Sequence, residues 1–143
     1  MENNNKYFVP EISDFHIGYE YEQGLVDSNW FTTGWEKRII DEKSNLKLIK
    51  EHPSLHRVPY LTKEQLEAEG WHSPEVYRDG GTLVYKKDKY EITFMGENKI
   101  SPSTEIVFTE LFEMMDKITR HILFKGKCKD INTFRRICKL LEI

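Results

Sequence analysis

The sequence predicts an α+β fold in which a mainly antiparallel sheet of about five or six strands is covered by a C-terminal helix and one short internal helix. Three observations carry this expectation: apolar and polar residues alternate over residues 15–22, a tight hairpin pattern spans residues 82–95, and a capped amphipathic stretch runs from Asp130 to the end. A chain of 143 residues fits one ordinary domain. With 38% hydrophobic and 13% aromatic residues it can pack an interior, while 31% charged residues and a mean hydropathy of −0.63 describe a well-solvated surface. The expectation is one domain over residues 1–143, with residues 1–5 a frayed terminus.

The elements follow in chain order. Phe15, Ile17, Tyr19 and Tyr21 alternate with His16, Gly18, Glu20 and Glu22, the period of a strand with one buried face. Gly24, Asp27 and Ser28 mark a connection, and the aromatic and branched residues between Trp30 and Ile40 supply a second strand. Residues 45–52 fit neither period and Pro53 stops a helix there, so that element stays unassigned. Residues 57–61 read as extended, and Pro59, which lacks a backbone donor, places them at a sheet edge. Thr62 can cap a helix with Gln65 reaching back, Leu66 is its first apolar anchor, Gly70 a left-handed stop and Trp71 the hydrophobic contact that folds back.

Asp79, Gly80 and Gly81 punctuate the chain before the hairpin, in which residues 82–86 and 90–95 flank Lys87, Asp88 and Lys89, with Leu83 and Tyr85 sharing a face with Ile92 and Phe94. Residues 101–119 admit two readings. Val107, Leu111, Met114, Met115 and Ile118 fit a helical stripe, but the β-branched run at 104–109 favours a strand followed by a loop. Residues 121–128 read as a strand. Asp130 then caps a helix with Ile131, Phe134, Ile137, Cys138 and Leu141 on one side and Arg135, Arg136 and Lys139 on the other.

Charge is distributed unevenly. Residues 1–36 carry seven acids against the single Lys6, whereas residues 117–143 carry eight bases against Asp130 and Glu142. The two ends either pair in one fold or leave a basic face for an anionic partner. No window holds the roughly 18 apolar residues a membrane helix needs, and the first residues lack a basic and apolar leader pattern. Cys128 and Cys138 sit where the pattern asks for small buried hydrophobes. These features point to a reducing cytoplasm and no membrane.

Recognisable chemistry is absent from the sequence. Neither a phosphate-binding glycine loop nor a nucleophile elbow occurs. His52 and His56 are four apart, but Pro53 puts them in a loop. His16, Glu20 and Glu22 share a strand face with His16 too far from the acids to join them on one ion, and Glu20 with Glu22 read as exposed acids opposite basic residues such as Lys125 and Lys127. No cofactor, metal or catalytic residue is expected.

Three stretches, residues 7–22 (YFVPEISDFHIGYEYE), 57–71 (RVPYLTKEQLEAEGW) and 123–143 (LFKGKCKDINTFRRICKLLEI), together resemble a group of small uncharacterised proteins of gut bacteria and the phages and prophages they carry. The resemblance implies a cytoplasmic, phage-associated accessory protein and brings no assigned activity. The leading expectation is therefore a non-enzymatic protein that docks on another protein through Trp30, Phe31 and Trp35. The alternative is a nucleic-acid binder using Lys125, Lys127, Lys129, Arg135, Arg136 and Lys139, with Tyr85, Lys86, Lys87, Lys89 and Tyr90 as a second basic and aromatic group. A sequence pI near 6.0 weighs against that alternative, and an enzyme of unfamiliar type comes third.

Overall fold

The computed structural model of the protein describes residues 6–73, 82–95 and 100–143. The chain divides into two compact units, Met1–Tyr60 and Leu61–Ile143. Each builds a four-stranded antiparallel sheet, so the architecture is α+β with strands in two sheets rather than five or six in one.

In the first unit the sheet order is β1 (Tyr7–Phe8), β4 (His56–Pro59), β2 (Glu20–Val26), β3 (Thr32–Ile39), with helix α1 (Leu46–Glu51) between β3 and β4. The strand expected at residues 15–22 begins only at Glu20. Gly18 has φ +90° and the Tyr19 amide bonds the His16 carbonyl at 2.9 Å, which makes residues 16–19 a turn with glycine where a left-handed residue is required. Ile17 is consequently 71% exposed, whereas Phe15, Tyr19 and Tyr21 are buried with Ile40, Ile49 and Val58. Residues 45–52 resolve into α1, capped by Asn45, whose side chain accepts from the Leu48 amide. Pro59 is not on an edge: β4 lies between β1 and β2. Its pairing to β2 involves only His56 and Arg57, so Pro59 stands where no donor is asked of it on that side.

The second unit runs α2 (Lys63–Ala68), β5 (Leu83–Lys87), β6 (Tyr90–Phe94), β7 (Glu105–Met114), β8 (Lys117–Lys127) and α3 (Ile131–Leu140), with the strands paired in that order. Thr62 and Gln65 form the capping box read from the sequence, Gly70 has φ +89°, and the Trp71 amide reaches the Leu66 carbonyl at 3.0 Å. Leu83 pairs with Phe94 and Tyr85 with Ile92, as the hairpin pattern requires, around the two-residue turn of Asp88 and Lys89. The loop expected after residue 109 is instead more strand. β7 continues to Met114 and returns as β8 through Met115 and Asp116, both at positive φ (50° and 62°), a two-residue turn whose twist suits a hairpin.

The core of this unit comprises Leu66, Trp71, Phe94, Phe108, Phe134 and their neighbours, all within residues 61–143. The closing helix thus packs on its own sheet, and the early strand expected to receive it contributes to a different cluster. Asp130 caps α3 while buried, accepting from the Thr133 amide and hydroxyl and from Asn132 Nδ2. The expected turn at Asp79, Gly80 and Gly81 and the frayed residues 1–5 lie outside the described residues. Among the described residues no helix is long and apolar enough to cross a membrane.

Candidate functional site: an exposed aromatic turn

The β2–β3 hairpin ends in a five-residue loop that is held by its own hydrogen bonds. Asp27 Oδ1 accepts from the amides of Asn29 and Phe31, both at 2.9 Å. The Asp27 amide donates to the Phe31 carbonyl and the Trp30 amide to the Asp27 carbonyl, both at 3.0 Å. Asp is suited to this because its short carboxylate can serve backbone donors two and four residues on. One ladder step later Thr33 forms a bulge, with its hydroxyl donating to the Leu25 carbonyl at 3.2 Å.

This ordered loop presents two large side chains to water. Trp30 and Phe31 are each 69% exposed, and Leu25 and Val26, at the end of the adjoining strand, are exposed as well. Trp30 also has φ +64°, a conformation that costs a non-glycine residue about 1–2 kcal/mol. Its ring stacks on His52 at 5.9 Å and 25°. A tryptophan held in a disfavoured backbone conformation by four surrounding bonds, with most of its surface in water, is an observation that folding alone does not explain. Trp30→Gly removes the Cβ clash, so it is expected to leave the protein about 1 kcal/mol more stable than Trp30→Ala, the reverse of the usual order, in urea unfolding.

Trp35 does different work. It lies on the sheet face that carries Arg57, whose guanidinium carbon stands 4.0 Å from the Trp35 ring centroid and 3.6 Å from that of Tyr7. Arg57 Nε and Nη2 both donate to Glu22 Oε1, at 3.0 and 2.8 Å. Glu20, on the same face, pairs with Lys37 at 3.5 Å. The two acids thus have cationic partners, Lys37 and Arg57, within their own sheet, and Trp35 is half-buried as one wall of an arginine clamp.

His56 is the chemically most unusual group of this unit. It is buried, and its Nδ1 faces the His52 carbonyl at 2.9 Å, which fixes Nδ1 as the protonated nitrogen. Burial pushes its pKa below the ordinary histidine range, the His52 carbonyl opposes this, and the His52 ring adds a smaller downward push. His56 lines a cleft of about 360 Å³ with Tyr21, Gln23, Arg38, Asp41 and Asn45. Burial likewise raises the Tyr21 phenol, with Arg38 lowering it and Asp41 raising it. No hydrogen bond joins Tyr21 to His56 among the described residues, so the pair has no nucleophile-and-base geometry. Because the unfolded chain takes up a proton near the ordinary histidine value of about 6.5 while folded His56 resists it, acid favours unfolding. Stability is expected to fall as pH drops below about 6.5, and His56→Gln flattens that part of the profile in urea midpoints measured from pH 5 to 8.

The basic residues divide between β8, with the residue that follows closely on it, and α3. Lys125 pairs with Glu105 at 3.3 Å and Arg135 with Glu69 at 2.7 Å, while the Lys129 carbonyl accepts from the Leu61 amide. Lys127 extends from β8, and Arg136 and Lys139 lie on the exposed side of α3. The second basic and aromatic group does not form a stacking platform: Tyr85 is buried against Phe94, Lys86 pairs with buried Glu91, and Lys89 with Glu110. Burial pushes the Cys128 thiol up to about 12, with Asp130 adding to it, and the Cys138 thiol up to about 11. Both are expected to react with a disulfide reagent at pH 8 at least about tenfold more slowly than in urea, where they become ordinary thiols.

Comparison with known proteins adds no relative. No family model matches the chain, and no curated protein or solved structure matches it. Among the described residues no three His, Cys, Asp or Glu side chains gather as a metal-binding group. The roles of Arg57 and His56 do not show at the sequence level. The only available signal is the position of both in a short strand beside Pro59, since the partners Glu22, Tyr7 and Trp35 are far away in sequence.

Proposed function

We propose that this protein is a non-enzymatic binding protein that docks on another protein through Trp30 and Phe31, with Leu25 and Val26 as the adjoining apolar surface. The observation that carries the reading is the hydrogen-bonded loop that holds two aromatic rings in water at the cost of a left-handed tryptophan. Tryptophan and other rigid aromatics dominate the energetics of protein interfaces, because they bury a large area while losing little conformational freedom. A preformed loop lowers the ordering cost further. The partner surface that fits is a concave apolar pocket with room for two rings. The resemblance of residues 7–22, 57–71 and 123–143 to small phage and prophage proteins supports placing this docking in the bacterial cytoplasm, as an accessory activity. Nucleic acid is the lesser reading, since Lys125 and Arg135 already have acid partners.

Affinity capture from bacterial lysate tests it. A partner retained by the wild type and by Ile17→Ala, but lost with Trp30→Gly combined with Phe31→Ala, supports docking at this loop. A partner retained equally by all three, or none at all, overturns it.

A further inference from the structure

We propose that the outer edge of β8 is a second docking site, which takes up an extended acidic peptide segment as an added antiparallel strand. Among the described residues β8 is the last strand of its sheet, so on either side of its bulge at Leu123 alternate backbone amides and carbonyls face away from β7. Beyond Glu110, where β6 ends its pairing, β7 and β8 continue as a two-stranded ribbon to the turn at Met115 and Asp116. Residues 117–122 are all exposed. A two-stranded ribbon is marginal by itself in water, and a third strand completes it.

Two features choose the occupant. Residues 117–129 contain Lys117, Arg120, Lys125, Lys127 and Lys129 and no acid. Arg120 and Lys125 have acid neighbours in Glu91 and Glu105, but Lys117 and Lys127, near the two ends of the strand, remain exposed cations. A second copy of β8 would set like charges against one another, which disfavours self-pairing. An acidic strand reverses that term. Ile118 and Ile122 are 64% and 68% exposed and lie on one face with Arg120 between them. A segment alternating acidic and branched apolar residues matches this strand, because its apolar face then lies against Ile118 and Ile122 while its acids fall on the opposite face, beside Lys117 and His121. Single-stranded nucleic acid fits less well, because the strand offers isoleucines where base stacking needs aromatic rings, and a phosphate backbone cannot use a row of strand carbonyls.

This site is independent of the Trp30 loop, so the two proposals fail separately. The test uses the whole protein and three probes: a blocked seven-residue peptide alternating Glu and Val, a heptaglutamate, and a thymine-rich oligonucleotide. Fluorescence anisotropy measures binding, and amide NMR shifts locate it. The Glu-Val peptide is expected to bind best, to shift amides of β8, and to lose affinity about tenfold or more with Lys117→Glu and Lys127→Glu together. Ile118→Thr with Ile122→Thr, which keeps strand preference, is expected to weaken it severalfold while leaving heptaglutamate binding unchanged. Tighter binding of the oligonucleotide, equal binding of heptaglutamate and the Glu-Val peptide, or shifts that avoid β8 overturn the proposal.

Discussion

Trp71→Ala is expected to lower stability by about 3–5 kcal/mol, more than any other single truncation in residues 61–143. Trp71 is almost fully buried and meets Phe108 and Phe134 edge-on, with ring centroids 6.0 and 5.9 Å away. Its amide also closes the end of α2 on the Leu66 carbonyl. One residue thus ties together the helix α2 through its backbone and, through its ring, the sheet at β7 and the helix α3. Removing it leaves a void bounded by rings that cannot collapse into the space without losing their own contacts. Urea unfolding followed by circular dichroism measures the loss, and a value below about 1 kcal/mol contradicts this account of the core.

Arg57→Ala is expected to cost about 2–3 kcal/mol. The substitution removes two charge-assisted hydrogen bonds from Glu22 and leaves that carboxylate part-buried, and it opens the gap between the Tyr7 and Trp35 rings. Arg57→Lys is expected to recover less than half of the loss. An ammonium is a compact charge that cannot keep a planar contact with both rings while making two bonds to one oxygen. Equal stability of the lysine variant and the wild type would show that simple charge, and not the stacked plane, holds this face together.

Local signals are legible in the sequence, and their success has a common cause. The Thr62 capping box, the Gly70 stop, the Asp130 cap and the Leu83–Phe94 and Tyr85–Ile92 pairs are each specified within a dozen residues, so that chemistry at short range settles them. Sequence and structure part at one local turn and wherever a long-range fact decides. The alternation over residues 15–22 is real for Phe15, Tyr19 and Tyr21, but Gly18 at positive φ breaks the strand and sends Ile17 into water. Read as a turn signal, that glycine marks the break. Residues 101–119 carry both periods, and only pairing along the length of β8 makes them strand. That there are two sheets cannot be read from strand patterns, because nothing within a strand states which neighbour it pairs with. Of the candidate site, the aromatic run of Trp30, Phe31 and Trp35 is legible in the sequence, whereas the exposure of Trp30 and Phe31, the partial burial of Trp35 and the Asp27 bonds are visible only in three dimensions.

The docking role of the Trp30 loop is most directly tested by site-specific photo-cross-linking. A benzophenone amino acid replaces Phe31 in one protein and Ile17 in another, and both are irradiated in bacterial lysate. The account predicts one discrete heavier species from position 31, competed away by excess wild-type protein but not by the Trp30→Gly, Phe31→Ala variant, and no such species from position 17. Adducts of the same pattern from both positions, a product that contains only a second copy of this chain, or no adduct at position 31 contradict it.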